Sequence, residues 1–374
     1  MKVLIMPSWY YDYQGKGGGI FIKEQADALS ENGIDVAIAY SALGRSYPFL
    51  STYYSQTNSI STYFHHQFAF PKLNSFLIDL WIKQFSKVYD QYKKDQGKPD
   101  LIHAHSFLAG AVAAKLKAKE KVPYLLTEHS SAILNHNVPN RLISVVKKAY
   151  ESCDQLIAVS QGLADQMKTY TDQKIIVIPN LVDSRFFTPK KMPLLKDKTI
   201  QLLSIGDPIH TKGIDILIEA LNELKTSSFN FHLSLGDEMP GKQNLIQLIK
   251  QYGLEDNVTF LGQLNRAQVL HQMQNCHIYV SASRWETFGI TLIEAMSCGK
   301  PIVATATAGS EDILTETSGL LVPTENPQAL AEAITKVATH YKQYQPTMIR
   351  TLAQEKFDSI KIASRIKEVY ESII

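Results

Sequence analysis

The stretch His277–Ala306, HIYVSASRWETFGITLIEAMSCGKPIVATA, reads as a strand, a loop, a helix and a second strand. HIYVSAS and PIVATA are short apolar runs of the kind that form buried strands. GITLIEAMS between them has helical character; Gly299 sits just past its end and Pro301 forbids its continuation. Buried strands separated by helices predict a parallel sheet covered on both faces. The same stretch carries two glutamates, Glu286 and Glu294, with seven residues between them. Glu286 falls in the loop, Gly289 and Ile290 at the helix start, and Glu294 about a turn inside the helix. Free backbone N–H groups and the dipole at such a start favour an anion by roughly 0.3–2 kcal/mol. Gly289 lets a ligand approach the backbone closely. A phosphate held there would be repelled by both carboxylates unless each faces something neutral. Hydroxyl-rich groups on either side meet that need, with a sugar near Glu286 and a ribose near Glu294. The two glutamates taken alone read as solvated surface charges; the strand before, the glycine between and the helix after are what point to a ligand.

The rhythm extends over the whole chain. MKVLIM, IDVAIAY, LIHAH, PYLLTEH, QLIAVS and IIVIPN are strand candidates in the first half. IQLLSIG, FHLSLG, VTFLG, HIYVSAS, PIVATA and GLLVP follow in the second. Ile20 to Asn32 reads as a helix that stops at Gly33. Two such series predict an α/β protein with two doubly wound domains: residues 1–183, rejoined by a C-terminal helix over 358–374, and residues 184–357. The break falls at PNLVDSRFFTP, Pro179–Pro189. Ligands of open parallel sheets bind outside the carboxyl ends of the strands, and the chemically suggestive residues all follow strands. Gly17, Gly18 and Gly19 follow the first; His129 follows PYLLTE; Gly206 and Lys212 follow IQLLSI; Glu286 follows HIYVSAS. Two such edges facing each other across a cleft would make a small-molecule site.

Composition sets the outer limits. The chain has 374 residues, 45% hydrophobic and 20% charged, ordinary for a globular protein. Cys153, Cys276 and Cys298 match no zinc spacing and no closed disulfide framework, and read as reduced thiols of a cytosolic protein. The apolar opening run stops at Pro7, too short for a signal peptide, and no segment has the ~18 apolar residues of a membrane span. The net charge of +2 is unevenly spread, with ten lysines against five acids between Lys72 and Lys121. That run is either a set of solvated helix faces or a surface for anionic lipid or an anionic acceptor. LNSFLIDLWIKQFSKVY, with Lys83 and Lys87 interspersed, can lie on a membrane or pack into a core. Nothing points to nucleic acid.

Cys276–Leu321 resembles the donor-binding core of glycosyltransferase family 4, with its pair of glutamates seven residues apart. The resemblance covers most of the chain. GKGGGIFIKEQADALSENGIDV is similar to the family's glycine-rich first helix, IPNLVD to its interdomain motif, and SIGDPIHTKGIDILIEAL to its Gly-Arg-Leu…Lys-Gly motif. The family's fold is GT-B, two Rossmann-like domains around a cleft. Its activity is retaining transfer of a hexose from a nucleotide-sugar, often in the synthesis of bacterial surface polysaccharide. The resemblance implies that Glu286 meets hydroxyls of the transferred sugar and that Glu294 binds ribose. It implies that Lys212 holds the diphosphate and that Gly17, Gly18 and Gly19 bring backbone amides to it. His129 would contact the sugar, and Gly206, Phe288, Gly289 and Ile290 would line the donor site. A UDP-sugar is a more common donor than a GDP-sugar, and the acceptor is a glycan or a lipid-linked sugar. The implied place is the cytoplasm, peripherally at the inner membrane face. No Asp-x-Asp occurs in the chain, so neither metal nor cofactor is expected.

Two positions depart from the pattern: Leu181 replaces the glycine of the interdomain motif, and Asp207 stands where the family has an arginine, before Pro208. An acid aimed at a bound diphosphate would oppose it. Either Asp207 turns away and Lys212 is helped by Arg284, Arg185 or His210, or the chain is an inactive nucleotide-sugar-binding partner. A nucleotide-sugar epimerase of the same fold is another alternative. A dinucleotide oxidoreductase is not, because Ile20 occupies the last glycine position of Gly-x-Gly-x-x-Gly.

Overall fold

The computed structural model describes residues 1–10, 18–44, 51–57, 60–68, 75–190, 199–206, 210–227, 229–236 and 242–374. Gly17 and Asp207 lie outside the described residues. The chain forms two compact units, Met1–Leu181 with Ser359–Ile374, and Val182–Asp358.

The first unit begins β1 (Lys2–Pro7), α1 (Ile20–Glu31), β2 (Asp35–Gly44), β3 (Ser51–Thr57), β4 (Ile60–Phe68) and α2 (Ser75–Gln96). It continues β5 (Leu101–His105), α3 (Ser106–Glu120), β6 (Tyr124–Glu128), α4 (Ser131–Leu134), α5 (Asn140–Ser152), β7 (Gln155–Ala158), α6 (Gln161–Met167) and β8 (Ile175–Val177). The sheet order is β3-β4-β2-β1-β5-β6-β7-β8. Every pairing is parallel except β3 with β4. This antiparallel edge pair is absent from the sequence reading. ISTYFHHQF and STYYSQT are rich in hydroxyls and amides and lack the apolar runs that mark the inner strands.

In the second unit come β9 (Thr199–Ile205), α7 (Ile214–Leu224), β10 (Asn230–Gly236), α8 (Lys242–Gln251), β11 (Val258–Gly262), α9 (Arg266–Asn275) and β12 (Ile278–Ser281). They are followed by α10 (Ile290–Ser297), β13 (Ile302–Thr305), α11 (Ala308–Ile313), β14 (Gly319–Val322), α12 (Pro327–Thr339) and α13 (Pro346–Phe357). The order β11-β10-β9-β12-β13-β14 is parallel throughout. The last helix, α14 (Ser359–Ile373), belongs to the first unit.

Burial follows from side-chain spacing. LIHAH, YLLTE and IVAT are buried at every position, as strands covered on both faces must be. Leu217, Ile218 and Leu221 of α7 share a core with Leu330, Ile334 and Val337 of α12. Ile362, Ala363, Ile366 and Tyr370 of α14 pack with Ile22, Ala26 and Leu29 of α1. On α2, Trp81, Ile82, Phe85, Val88 and Tyr89 are buried while Lys83 and Lys87 point outward. Those apolar side chains sit in the core and are not available to a lipid surface. Among the described residues no helix is long and apolar enough to cross a membrane.

Both sheets reverse direction at their first strand. The chain steps from β1 to β2 on one side and to β5 on the other, and from β9 to β10 on one side and to β12 on the other. The carboxyl ends beside these reversals form a crevice between diverging connections, where open α/β sheets bind ligands.

Candidate functional site

In the second unit, the residues after β9 and β12 meet at the reversal. Gly213 caps α7 in the left-handed region, at φ 59°. A Cβ there would come within 2.0 Å of the Ala282 carbonyl oxygen, so only glycine lets α7 start against the end of β12. The loop is pinned further by the Arg284 amide, which donates to the Thr211 carbonyl at 2.8 Å. Lys212 is thereby set facing Glu286, and Nζ donates to Oε2 at 2.5 Å. Both side chains are half-buried. The stem of Lys212 lies across Gly206, whose absent Cβ would stand 3.3–3.4 Å from its methylenes. Lys212, Glu286 and Gly206 are thus brought together.

Gly289 caps α10 at φ 102°, and a Cβ there would press to 2.9 Å from Leu292. Beyond it, the first amides of α10, those of Ile290 and Thr291, have no acceptor inside the helix. Phe288 is buried, edge-on to Phe357 at 5.8 Å. It shapes the loop from behind. Gly309 at the start of α11 closes the same loop: its amide donates to the Glu286 carbonyl at 3.1 Å, and a Cβ would collide with the Phe288 carbonyl.

Glu294 is placed differently from Glu286. It is 1% exposed; Oε1 accepts from Arg266 Nη1 at 2.6 Å, and Oε2 has no hydrogen-bond partner among the described residues. Burial pushes its carboxyl above the ordinary value, against the pull of Arg266. A carboxylate acceptor so placed carries unmet hydrogen-bonding capacity, and an orphaned buried acceptor costs about 1–3 kcal/mol. A hydroxyl donor from a ligand would relieve it. Arg266, which the sequence reading overlooked, opens α9 behind the Asn265 capping box and also lies over the Phe187 ring at 4.6 Å. Its twenty-eight-residue separation from Glu294 left no signal in either local motif.

Arg284 does not serve as a second cation beside Lys212. Its guanidinium grips both oxygens of Asp215, at 2.8 and 2.7 Å, also binds Glu325, and donates to the His210 carbonyl. Its side chain is 6% exposed. Arg284 is a strut between α7 and the β12 loop, and the Asp215 carboxyl is held below its ordinary value by that hydrogen bond. Arg185 is on Asp183 at 3.0 Å, and the His210 ring lies against Trp285.

In the first unit, a histidine cluster occupies the carboxyl ends of β5 and β6. His103 and His105 alternate onto one face of β5, as the period of a strand requires. Their rings stack 4.2 Å apart, and His105 lies 5.2 Å from His129, within 17° of parallel. His105 Nδ1 and His129 Nε2 share a hydrogen bond of 2.9 Å. Glu128 beneath them is fully buried yet accepts from four donors: the amides of Phe107, His129 and Ser130, and the Tyr150 hydroxyl. Burial pushes its carboxyl up, and these donors work against that. Ser106 adopts φ 67°, a left-handed strain that a serine bears only where its surroundings impose it. Its hydroxyl accepts from the His129 amide at 3.3 Å. Half-buried Trp9 and Phe21 flank His129 at 6.2 and 4.9 Å. Gly19 caps α1 at φ 112° against Trp9 and Tyr10, while a Cβ on Gly18 would meet nothing. His129 was a sequence candidate. His103, His105, Ser106 and Glu128 were not, although the His-x-His-Ser ending of a strand was a signal in plain view.

Comparison with known proteins agrees over both units. Residues 15–186 match the Glycosyltransferase Family 4 model, and residues 187–349 match that for glycosyl transferases group 1. An uncharacterised glycosyltransferase of Methanocaldococcus jannaschii is 31% identical over 287 residues, 73% of this chain and 76% of that protein. One component of the human phosphatidylinositol N-acetylglucosaminyltransferase is 28% identical over 73% of this chain and 57% of its own length. Among solved structures, HepE of Anabaena in complex with UDP and glucose superposes with a TM-score of 0.76 at 22% identity, each chain fully covered.

Proposed function

As the chain belongs to glycosyltransferase family 4 and has the GT-B fold, we propose that it transfers a hexose from a nucleotide-sugar to a hydroxyl of a glycan or lipid-linked acceptor, with retention of configuration. The observation that carries this reading is the Lys212–Glu286 pair at the reversal of the second sheet, beside the open amides of α10. Lys212 and the helix start would hold the diphosphate. Glu286 would meet sugar hydroxyls, and the orphaned oxygen of Glu294 would accept from the ribose. Gly18 and Gly19 would add backbone amides, and His129 a contact to the sugar. In the step itself the bond from the anomeric carbon to the phosphate oxygen breaks and a bond to the acceptor oxygen forms on the same face. The acceptor proton passes to the departing phosphate. The residues then act mainly by stabilising the charge that develops on the diphosphate.

A UDP-sugar is the favoured donor, supported by the UDP and glucose held by the Anabaena structure. A lipid-linked acceptor is supported by the phosphatidylinositol named for the human relative. The lysine-rich run supports a peripheral place at the inner membrane face less strongly, because Lys93, Lys117 and Lys119 pair with Glu120 or Asp154. A panel of sugar nucleotides, scored for thermal stabilisation and for donor hydrolysis, tests the reading. One nucleotide should stand out in both, and activity should survive EDTA. Stabilisation without any turnover, restored to turnover by Asp207→Arg, would establish an inactive binding partner instead. Interconversion of the donor's sugar without acceptor would establish an epimerase.

A further inference from the structure

We propose that His105 is a positioning residue that fixes His129 as the tautomer protonated on Nδ1, so that His129 presents a neutral N–H donor to the substrate. The inference rests on the reading of His129 as a sugar contact, but the tautomer itself follows from the hydrogen-bond inventory of the cluster.

The bond between His105 Nδ1 and His129 Nε2 holds a single proton. If His129 supplies it, His105 must carry its own proton on Nε2. That atom is buried and has no hydrogen-bond partner among the described residues. The neighbouring ring cannot provide one, because both nitrogens of His103 are engaged, Nδ1 with the Tyr370 hydroxyl at 2.7 Å and Nε2 with Thr127 at 2.8 Å. An orphaned buried N–H is the costlier defect; an acceptor lone pair left bare is better tolerated. The proton therefore sits on His105 Nδ1 and is donated to His129 Nε2. His129, neutral, then carries its own proton on Nδ1, which no described residue hydrogen-bonds.

A charged pair is disfavoured by the surroundings. The neighbouring carboxylate of Glu128 spends both oxygens on other donors, and no hydrogen bond joins it to either ring. Burial also pushes both imidazoles well below their ordinary value. The backbone of His129 is held as firmly as its ring. Its amide donates to Glu128 Oε1 at 2.9 Å and to Ser106 at 3.3 Å, and Trp9 and Phe21 bracket the ring. A donor fixed in this way suits a sugar hydroxyl or a ring oxygen, and cannot act as a general base through Nε2.

The test uses the full chain labelled with ¹⁵N-histidine. Two-bond proton–nitrogen correlations at neutral pH distinguish the tautomers, with His129 signals identified by their loss in His129→Gln and those of His105 by their loss in His105→Asn. Both residues should be neutral and protonated on Nδ1. Protonation of His129 on Nε2, or an imidazolium, overturns the proposal whatever the enzyme's activity. Three variants then separate positioning from packing. His105→Asn keeps an N–H near the place of Nδ1; His105→Leu keeps neither donor nor acceptor; His105→Asp offers only an acceptor. In His105→Asp the His129 proton should move to Nε2, and kcat should fall at least about tenfold, well short of the ~10⁴ that a wrong tautomer costs a general-base histidine. His105→Asn should retain the Nδ1–H signature and recover most of the turnover that His105→Leu loses, at matched thermal stability. Equal losses in all three, with the His129 signature unchanged, would leave His105 a packing residue only. A chain inert to every donor would sink the functional reading while the correlation spectrum still decides the tautomer.

Discussion

Lys212 and Glu286 hold each other at 2.5 Å, so on the proposed reading a diphosphate bound by Lys212 would displace a carboxylate that is already there. This exchange gives the two glutamates opposite signatures. Glu286→Gln removes the competitor, and nucleoside diphosphate affinity should hold or rise while turnover falls at least about tenfold, the order expected when a hydrogen bond to a charged group worth about 1.5–3 kcal/mol is lost. Calorimetry that shows affinity falling in step with turnover would contradict the assignment. Glu294→Gln should weaken nucleotide binding by ~1–3 kcal/mol, the range for a hydrogen bond to a charged group, and unchanged affinity would remove the ribose role. Arg266→Ala leaves the Glu294 carboxylate buried without its cation. Breaking a buried pair in that way costs about 3–5 kcal/mol, visible in urea unfolding, and much of it should return when Glu294→Gln is added.

At the scale of elements, the site is assembled by glycines that let backbones touch. Gly213→Ala forces a Cβ into left-handed geometry, at about 1–2 kcal/mol, and against the Ala282 carbonyl, which cannot yield without moving β12. We expect a loss of at least about 2 kcal/mol in stability and a displaced Lys212, measured by denaturation and by donor affinity; a wild-type stability would show that α7 can start elsewhere. Gly18→Ala is the counterpart. Its Cβ meets open space, so stability should move by less than about 0.5 kcal/mol, and any fall in turnover would report a ligand contact. The inner strands were legible because strands buried on both faces must be apolar throughout. The pair β3 and β4 was not, since STYYSQT and ISTYFHHQF carry hydroxyls, imidazoles and amides where the inner strands carry apolar runs, although Ile60 to His66 of β4 are buried all the same.

For the whole molecule, the buried histidines set the response to acid. Burial pushes His103 and His129 down to about 3 and His105 well below the ordinary 6.5, and shifts His65 and His277 the same way. Once unfolded, each regains a pKa of about 6.5. Between about pH 6.5 and 3 the unfolded chain therefore binds protons that the folded chain refuses, and stability declines as pH falls, by up to ~1.4 kcal/mol per pH unit for each histidine. Glu128 and Glu294, pushed up by burial, act in the opposite sense, because acid relieves them. Unfolding midpoints should drop between pH 6.5 and 5, less steeply in His105→Asn, and a flat profile would mean that these rings reach water. The apolar runs, their alternation with helical segments and the glutamate pair around Gly289 were enough to determine a parallel α/β fold and its family, because backbone burial and helix termination are local demands written in consecutive residues. The partners of the site were decided only by tertiary structure. Arg266 reaches Glu294, Arg284 is consumed by Asp215 and Glu325, and His105 meets His129 across the β5–β6 boundary. Strand order sets these pairings, and strand order is settled by how whole layers pack, which no stretch of sequence records by itself.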